Sequence, residues 1–253
     1  MQSHEQQEGL VGGRHTVCEF LSRAPEKVHS LLIDERKSGR GLQEVLSCSK
    51  AAGVRYQFVP RRKLDRLPLN NHQGYVLRLF APGYIQTEAL CRQACQADFP
   101  IILALDQVQD EGNLGTLARS LFALGGVGMV LPKNRTASLG AQAQQAAAGA
   151  LSELPVARET NLSRFLRTAR EDGFFTCYAG MGHGCRSVYD QEVAWPLILV
   201  LGNEEKGVRP GVAKACEAGV TIPLQRGFDS LNVAQAGAML LMELYRRSRQ
   251  PSR

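Results

Sequence analysis

The strongest constraint on the fold is a series of short, wholly apolar runs in the second half of the chain, with helical patterns between them. Ile101–Leu105 (IILAL) is bounded by Pro100 and Asp106, which predicts a strand buried on both faces. Further apolar runs lie at Val127–Leu131, Phe174–Tyr178, Pro196–Leu201 and Val220–Ile222. Helical spacing falls between them at Leu114–Leu124, Ala137–Ala150, Leu162–Glu171 and Gly211–Ala215. Strands that alternate with helices predict an α/β sheet covered on both faces. Ligands of such sheets bind outside the carboxyl ends of the strands. The polar loops that follow these runs are therefore where chemistry is expected.

Three such loops stand out. The stretch Val220–Gln235 (VTIPLQRGFDSLNVAQ) opens as a β-branched strand stopped by Pro223, which cannot continue a ladder. A Gln225-Arg226-Gly227 turn follows. Ser230 and Asn232 are then candidate caps for a helix to about Arg247, with Ala238, Leu241, Met242 and Tyr245 as its apolar stripe. The loop after Ile101–Leu105 runs Asp106, Asp110, Glu111, Asn113, Gly115 and on to Arg119, with Asn113 as the candidate N-cap. The loop after Pro196–Leu201 reads Gly202-Asn203-Glu204-Glu205-Lys206-Gly207. There Gly202 permits close backbone approach to a ligand, Gly207 permits a left-handed turn, and Glu205 and Lys206 are expected to be solvated. Taken singly, each loop is also compatible with an ordinary strand-to-helix turn carrying a good cap.

The N-terminal part reads as a separate small α/β unit. Residues 1–10 are expected to be a disordered tail, 11–80 a domain, 81–99 a linker broken at Pro82-Gly83, and 100–253 the second domain. Within the first domain a helix is expected at Thr16–Ser22, capped by Thr16, then a strand at Val28–Ile33. A helix at Leu42–Ala52 follows, ended by Gly53, then a strand at Tyr56–Val59, a short helix at Lys63–Leu67 and a strand at Gly74–Phe80. The linker is expected to hold a helix over Ile85–Gln96. Arg55, Arg61, Arg62, Lys63 and Arg66 crowd one neighbourhood, after Arg36, Lys37 and Arg40. Such a cluster can neutralise phosphates, and a solvated surface is its bland alternative. No aromatic-rich RNA-binding signature marks where bases would be read.

The formal charge of +6 over 253 residues leans toward a polyanionic partner. No apolar run is long enough for a membrane span, and the polar start MQSHEQQEGL lacks the core of a secretory signal. The seven cysteines are scattered, with no CxxC pair. That indicates neither a zinc site nor a disulfide framework, and no metal is expected. Cys91 and Cys95, four apart on a helical pattern, are expected to be buried. A reducing compartment fits, the cytosol first and the mitochondrion as the alternative. No GxGxxG follows a strand and no GxxxxGK[ST] loop occurs, so dinucleotide and P-loop chemistry are not indicated.

Together the three loops resemble the three motifs of the SpoU (TrmH/RlmB-like) family of RNA ribose 2′-O-methyltransferases, in the same order. The family forms are D.V.DP.N.G…R, GxExxG and IPM.G…SLNVS.A. Here Glu111 stands in place of the usual proline, and Ala234-Gln235 in place of the commoner Ser-Val. The segments GRHTVCEFL and HQGYV are similar to the edges of the family's N-terminal domain. The resemblance implies S-adenosylmethionine as cofactor, a SPOUT-type α/β domain with a deep trefoil knot, and a homodimer. It also implies an N-terminal domain like RNA-binding ribosomal proteins, which favours Arg55, Arg61, Arg62, Lys63 and Arg66 as RNA contacts. By resemblance Leu201, Gly202, Ile222, Leu224, Leu231 and Asn232 hold the cofactor. Asn113, Arg119, Glu204, Ser230 and Asn232 are the catalytic set, with Arg119 binding the target phosphate and helping to deprotonate the ribose hydroxyl. The layout favours large-subunit rRNA, at a guanosine. The alternatives are a tRNA 2′-O-methyltransferase, or a non-catalytic RNA-binding or ribosome-assembly protein that kept the fold.

Overall fold

The computed structural model describes residues 10–67, 69, 72–79, 84–181, 184–225 and 230–250. The chain divides into two compact units, residues 1–86 and 87–253. Most of the expected tail, the Pro82-Gly83 break and the Arg226-Gly227 turn lie outside the described residues.

In the first unit, β1 (Leu10–Gly12), β2 (Val28–Asp34), β3 (Tyr56–Val59) and β4 (Tyr75–Leu79) form a sheet in the order β1-β4-β2-β3. β2 runs antiparallel to β4 and parallel to β3. Helices α1 (Arg14–Arg23) and α2 (Arg40–Ala51) cover one face. There Val17, Leu21 and Val45 pack on Leu31, Ile33, Tyr75 and Leu77. The short α3 (Arg61–Leu64) closes the other face by packing Leu64 against Leu32, Val59 and Val76. This is the period-two alternation of a sheet buried on both sides. Ser49 is buried because its hydroxyl donates to the Val54 carbonyl at 2.6 Å, and Gly53 takes φ +66° where α2 ends.

Several expectations shift. Leu10 is not tail but pairs with Arg78 in β1. Thr16 caps nothing, because α1 starts two residues earlier, after Gly13. α3 begins at Arg61 rather than Lys63, directly after Pro60. The expected helix from Ile85 starts later, since Tyr84–Ile85 is a short strand, β5, and α4 spans Thr87–Ala94. Cys91 is only half-buried, and Cys95, just past the end of α4, is exposed.

The second unit follows the apolar runs. Its strands are β6 (Ile101–Asp106), β7 (Gly128–Pro132), β8 (Val156–Glu159), β9 (Phe175–Ala179), β10 (Cys185–Ser187), β11 (Leu197–Gly202) and β12 (Ala218–Thr221). They lie in the order β10-β12-β9-β11-β6-β7-β8, each pair parallel. β6 and β11 are buried along their full length. β8 and β10 escaped the sequence reading because each is short and carries charged or small polar residues. Ile222 lies beyond the end of β12. The chain proceeds outward from β6 to β7 and β8, then returns to the other side of β6. The order thus reverses between β6 and β11, where Gly202 pairs with Asp106.

Helices α5 (Glu111–Ala123), α6 (Ala141–Ala147), α7 (Ala150–Glu153), α8 (Leu162–Glu171), α9 (Pro210–Ala213) and α10 (Val233–Ser248) complete the unit. The single helix expected at 137–150 is two, broken where Ala148 and Gly149 both take positive φ. α10 buries Val233, Ala234, Gly237, Leu240, Leu241 and Leu244. The predicted stripe was rotated: of its four residues only Leu241 is buried, and Met242 is exposed.

Gly115 explains how closely α5 meets α6. A Cβ there would lie 2.3 Å from the Ala143 carbonyl oxygen and 2.8 Å from the Ala146 Cβ. Gly115→Ala should therefore lower the unfolding free energy by about 2–3 kcal/mol, the cost of overpacking against backbone. Gly211→Ala, whose nearest neighbour would be Ser163 Oγ at 3.9 Å, should change it by less than about 0.5 kcal/mol. Urea unfolding of the two variants checks the contrast, and equal effects would contradict it.

Candidate active site

The carboxyl ends of β9, β11 and β12 enclose a cavity of about 320 Å³. Leu201, Ile222, Leu224, Leu231, Val233 and Leu240 give it apolar walls, and Asn203, Glu204, Glu205, Lys206 and Ser230 a polar rim. Leu201, Gly202, Ile222, Leu224 and Leu231, expected at the cofactor site, all line it. So do Glu204 and Ser230. Asn113, Asn232 and Arg119 do not.

Asn113 and Asn232 reach the cavity edge through hydrogen bonds. Asn232 is the N-cap of α10, and its Oδ1 accepts from the amides of Ala234 (2.9 Å) and Gln235 (3.3 Å). Its Nδ2 must then be the outward-facing donor, and it donates to Asn113 Oδ1 at 3.1 Å. Asn113 Nδ2 in turn donates to Glu204 Oε1 at 2.7 Å. The three loops are tied in sequence by one polar chain. Ser230 does not cap α10 and instead faces the cavity.

Asn113 is not the cap of α5, contrary to expectation. Asp110 takes that place and accepts from the Asn113 amide at 2.7 Å. The Asn113 side chain, in the first turn, is thereby released for Glu204. Glu111, where the family has proline, accepts from the Ser138 hydroxyl.

Arg119 lies six residues beyond Asn113, about 120° around the helix. It is exposed, and no hydrogen bond or ion pair is recorded for it among the described residues. The loop geometry does not bring it to the Asn113 side chain of its own α5.

Asn203 is a residue that sequence reasoning passed over. Its Oδ1 accepts from the amides of Glu205 (3.1 Å) and Lys206 (3.2 Å), and its Nδ2 donates to Gln107 O (3.2 Å) and Glu204 Oε2 (3.3 Å). It shapes the loop as an Asx turn does. It also links the loop to Gln107, a non-glycine residue held at φ +64°. An asparagine inside a Gly-bounded polar loop was the available signal. Gly202, which lines the cavity as expected, also packs tightly on its own loop. A Cβ there would lie 2.2 Å from Gly207 C and Val208 N, so the missing side chain lets the loop close on itself. Gly207 has φ +65°, and Glu205 and Lys206 are exposed.

A buried ion pair anchors this loop from behind. Asp106 is fully buried and accepts from the Arg209 amide (2.8 Å), Nε (2.8 Å) and Nη2 (2.7 Å). The end of β6 is thus fixed to the far end of the Gly202–Gly207 loop.

Comparison with known proteins decides the family. Residues 100–242 match the SpoU rRNA Methylase family, and residues 10–85 match the family described as RNA 2′-O ribose methyltransferase substrate binding. The chain belongs to the SpoU family of RNA methyltransferases. Two relatives are similar over almost their whole length. A TrmH family tRNA/rRNA methyltransferase of Bacillus subtilis, YacO, is 33% identical over 96% of this chain and 97% of its own. The 23S rRNA (guanosine-2′-O-)-methyltransferase RlmB of Haemophilus influenzae is 31% identical over 94% and 97%. Among solved structures, an AdoMet-bound rRNA methyltransferase from Sinorhizobium meliloti superposes with a TM-score of 0.60 and 25% identity, covering 96% of this chain and 88% of that one. The family's enzymes transfer a methyl group from S-adenosylmethionine to a ribose 2′-hydroxyl.

Stranding Asp106 should be costly. Arg209→Ala should destabilise this SpoU chain by about 3 kcal/mol, the low end for an orphaned buried charge because Arg209 is itself half exposed. Adding Asp106→Asn to Arg209→Ala should recover part of that loss. Denaturant titration of the two singles and the double checks this, and strict additivity would contradict the pairing.

Proposed function

We propose that this enzyme methylates the 2′-hydroxyl of a guanosine in large-subunit rRNA, with the cavity at β9, β11 and β12 as the seat of S-adenosylmethionine. The observation that carries the reading is the Asn232–Asn113–Glu204 chain, which joins all three family motifs at the rim of that cavity. The lining suits the donor: flat apolar walls for an adenine ring, and a rim of carboxylates and backbone groups for its polar edge and amino-acid tail. Bound there, S-adenosylmethionine supplies an electrophilic methyl on a sulfonium sulfur.

The chain's own residues then have to hold the target in line and release one proton. In this reading Glu204, receiving Nδ2 donors from Asn113 and Asn203, holds the rim in shape, and Ser230 with Asn232 orders the reacting end. Arg119, exposed and unengaged among the described residues, anchors the target phosphate. A guanidinium is permanently protonated, so the hydroxyl proton passes to solvent water and not onto Arg119 itself. Among the described residues no group of His, Cys, Asp and Glu gathers to hold a metal, and the transfer as drawn calls for none.

The rRNA preference rests on similarity to RlmB along nearly the full chain, and tRNA is the second reading because YacO is named for both. The five cations Arg55, Arg61, Arg62, Lys63 and Arg66 are all exposed on the N-terminal unit, which supports phosphate contacts there. Arg61 is partly committed already, to Asp65 at 3.1 Å and Asp34 at 3.5 Å. We also propose the trefoil knot, since β12 pairs between the earlier β9 and β10 and Arg247 near the end of α10 donates to the carbonyls of Val188 and Gln191. A homodimer is proposed from Tyr189, Met239 and Met242, which stand 63%, 52% and 56% exposed around one shallow groove. The scattered cysteines support action in the cytosol.

The test uses the purified protein, radiolabelled S-adenosylmethionine, and rRNA and tRNA from cells lacking the gene, with ribose methylation mapped. One labelled guanosine in large-subunit rRNA is expected. Label in tRNA alone would move the substrate, and no label in either despite cofactor binding would contradict the reading. Arg119→Ala should slow transfer by about a hundredfold or more while leaving the cofactor dissociation constant unchanged by isothermal titration. Equal loss of both would make Arg119 structural. Met239→Glu with Met242→Glu should turn a dimer into a monomer by sedimentation equilibrium, and an unchanged mass would remove α10 from the interface.

A further inference from the structure

β3 stands at the end of the N-terminal sheet and carries two aromatic side chains where the sheet pattern calls for burial. Tyr56 and Phe58, two apart, share one face. Their partners across the ladder, Leu31 and Ile33, are fully buried. Tyr56 and Phe58 are instead 49% and 44% exposed. Their rings meet edge to face, 5.9 Å apart at 86°. Exposed aromatics on an edge strand are a surface that sheets ordinarily blunt, and retaining them marks a binding face.

Positive charge flanks the pair in sequence. Arg55 precedes the strand, and Arg61, Arg62 and Lys63 follow it after Pro60, all exposed. The end of β2 brings the exposed Arg36 near β3 in the chain path: the Glu35 amide donates to the Val59 carbonyl and the Arg36 backbone amide to Asp34 Oδ1. The nearby carboxylates Asp34 and Asp65 are already engaged, by Arg61 on both and by His72 on Asp65. An exposed aromatic pair on a strand with cations at both of its ends in the sequence suits a strand of RNA with unpaired bases: rings can stack on bases and cations can hold phosphates further along the strand. A duplex keeps its bases stacked within itself and offers such a pair only phosphates and ribose hydroxyls.

We propose that Tyr56 and Phe58 form a stacking platform for unpaired nucleobases of the RNA substrate. The proposal rests on the RNA methyltransferase reading and adds to it that the substrate presents a single-stranded loop or bulge to the N-terminal unit. The phosphate contacts expected from the basic residues alone would not distinguish single strand from duplex; the aromatic pair would.

The experiment measures binding of the full chain to a short fluorescent RNA single strand and to the same sequence as a duplex, by anisotropy at fixed salt. Tyr56→Ala with Phe58→Ala is expected to weaken the single-strand complex by about tenfold to a hundredfold and the duplex complex by less than about twofold. Tyr56→Phe with Phe58→Tyr keeps both rings and should restore the single-strand affinity, which separates stacking from a folding defect. Matching thermal melts would confirm that the alanine variant is folded. Unchanged single-strand affinity would overturn the proposal, and so would equal loss for strand and duplex. A change of oligomeric mass with unchanged RNA affinity would also overturn it, by making the face a strand-pairing interface between copies. Because the assay needs no methyl transfer, its failure leaves the methyltransferase reading standing. A failure of methylation likewise leaves the platform measurable.

Discussion

The candidate active site depends on which way one amide points. Capping α10 commits the Asn232 oxygen to two backbone amides, so its nitrogen must donate outward, and it needs an acceptor to receive it. Asn113 supplies that acceptor, and its own nitrogen must then donate in turn, which fits a carboxylate and not another amine. Glu204 ends the chain. One local requirement, the termination of a helix, therefore propagates through three loops that are far apart in sequence. Replacing any member by a group of the wrong polarity would leave two like groups facing each other at the cavity rim.

That chain works only because the loops are already close. The reversal of strand order between β6 and β11 sets Asp106 beside Gly202, and the Asp106–Arg209 pair fastens the base of one loop to the end of the other. Glycine supplies the remaining closeness. At Gly202 the loop folds onto its own backbone, and at Gly115 α5 lies against the α6 backbone. Burial of the parallel strands makes the frame rigid. The short loops at their carboxyl ends, where the chemistry is proposed, are left with little freedom to lose.

Much of this frame could be read from residues alone. β6 and β11 are wholly apolar, so periodicity identified them, and α8 was bounded correctly because Asn161 caps it and Gly173 ends it. The misreadings have different physical causes, some local and some tertiary. Asn113 looks like a cap until Asp110 is seen to hold that position, which frees Asn113 for Glu204. α10 is apolar on more than one side, so its sequence does not say which side meets the sheet. Leu240 and Leu244 turned inward, and Met239 and Met242 stayed out. β8 and β10 are too short to carry a period. Tyr56 and Phe58 read as ordinary strand residues, and only their exposure at the sheet edge sets them apart. The cavity lining was legible through resemblance to SpoU motifs. The part played by Asn203 was not, since it consists of hydrogen bonds to backbone.

Hydrogen–deuterium exchange with and without saturating S-adenosylmethionine tests the central claim most directly, namely that the loops after β9, β11 and β12 form one donor site. The account predicts added protection concentrated in residues 179–181, 201–207, 220–224 and 230–236, with the N-terminal unit unchanged. Protection confined to one of these loops, or appearing away from all of them, would contradict it.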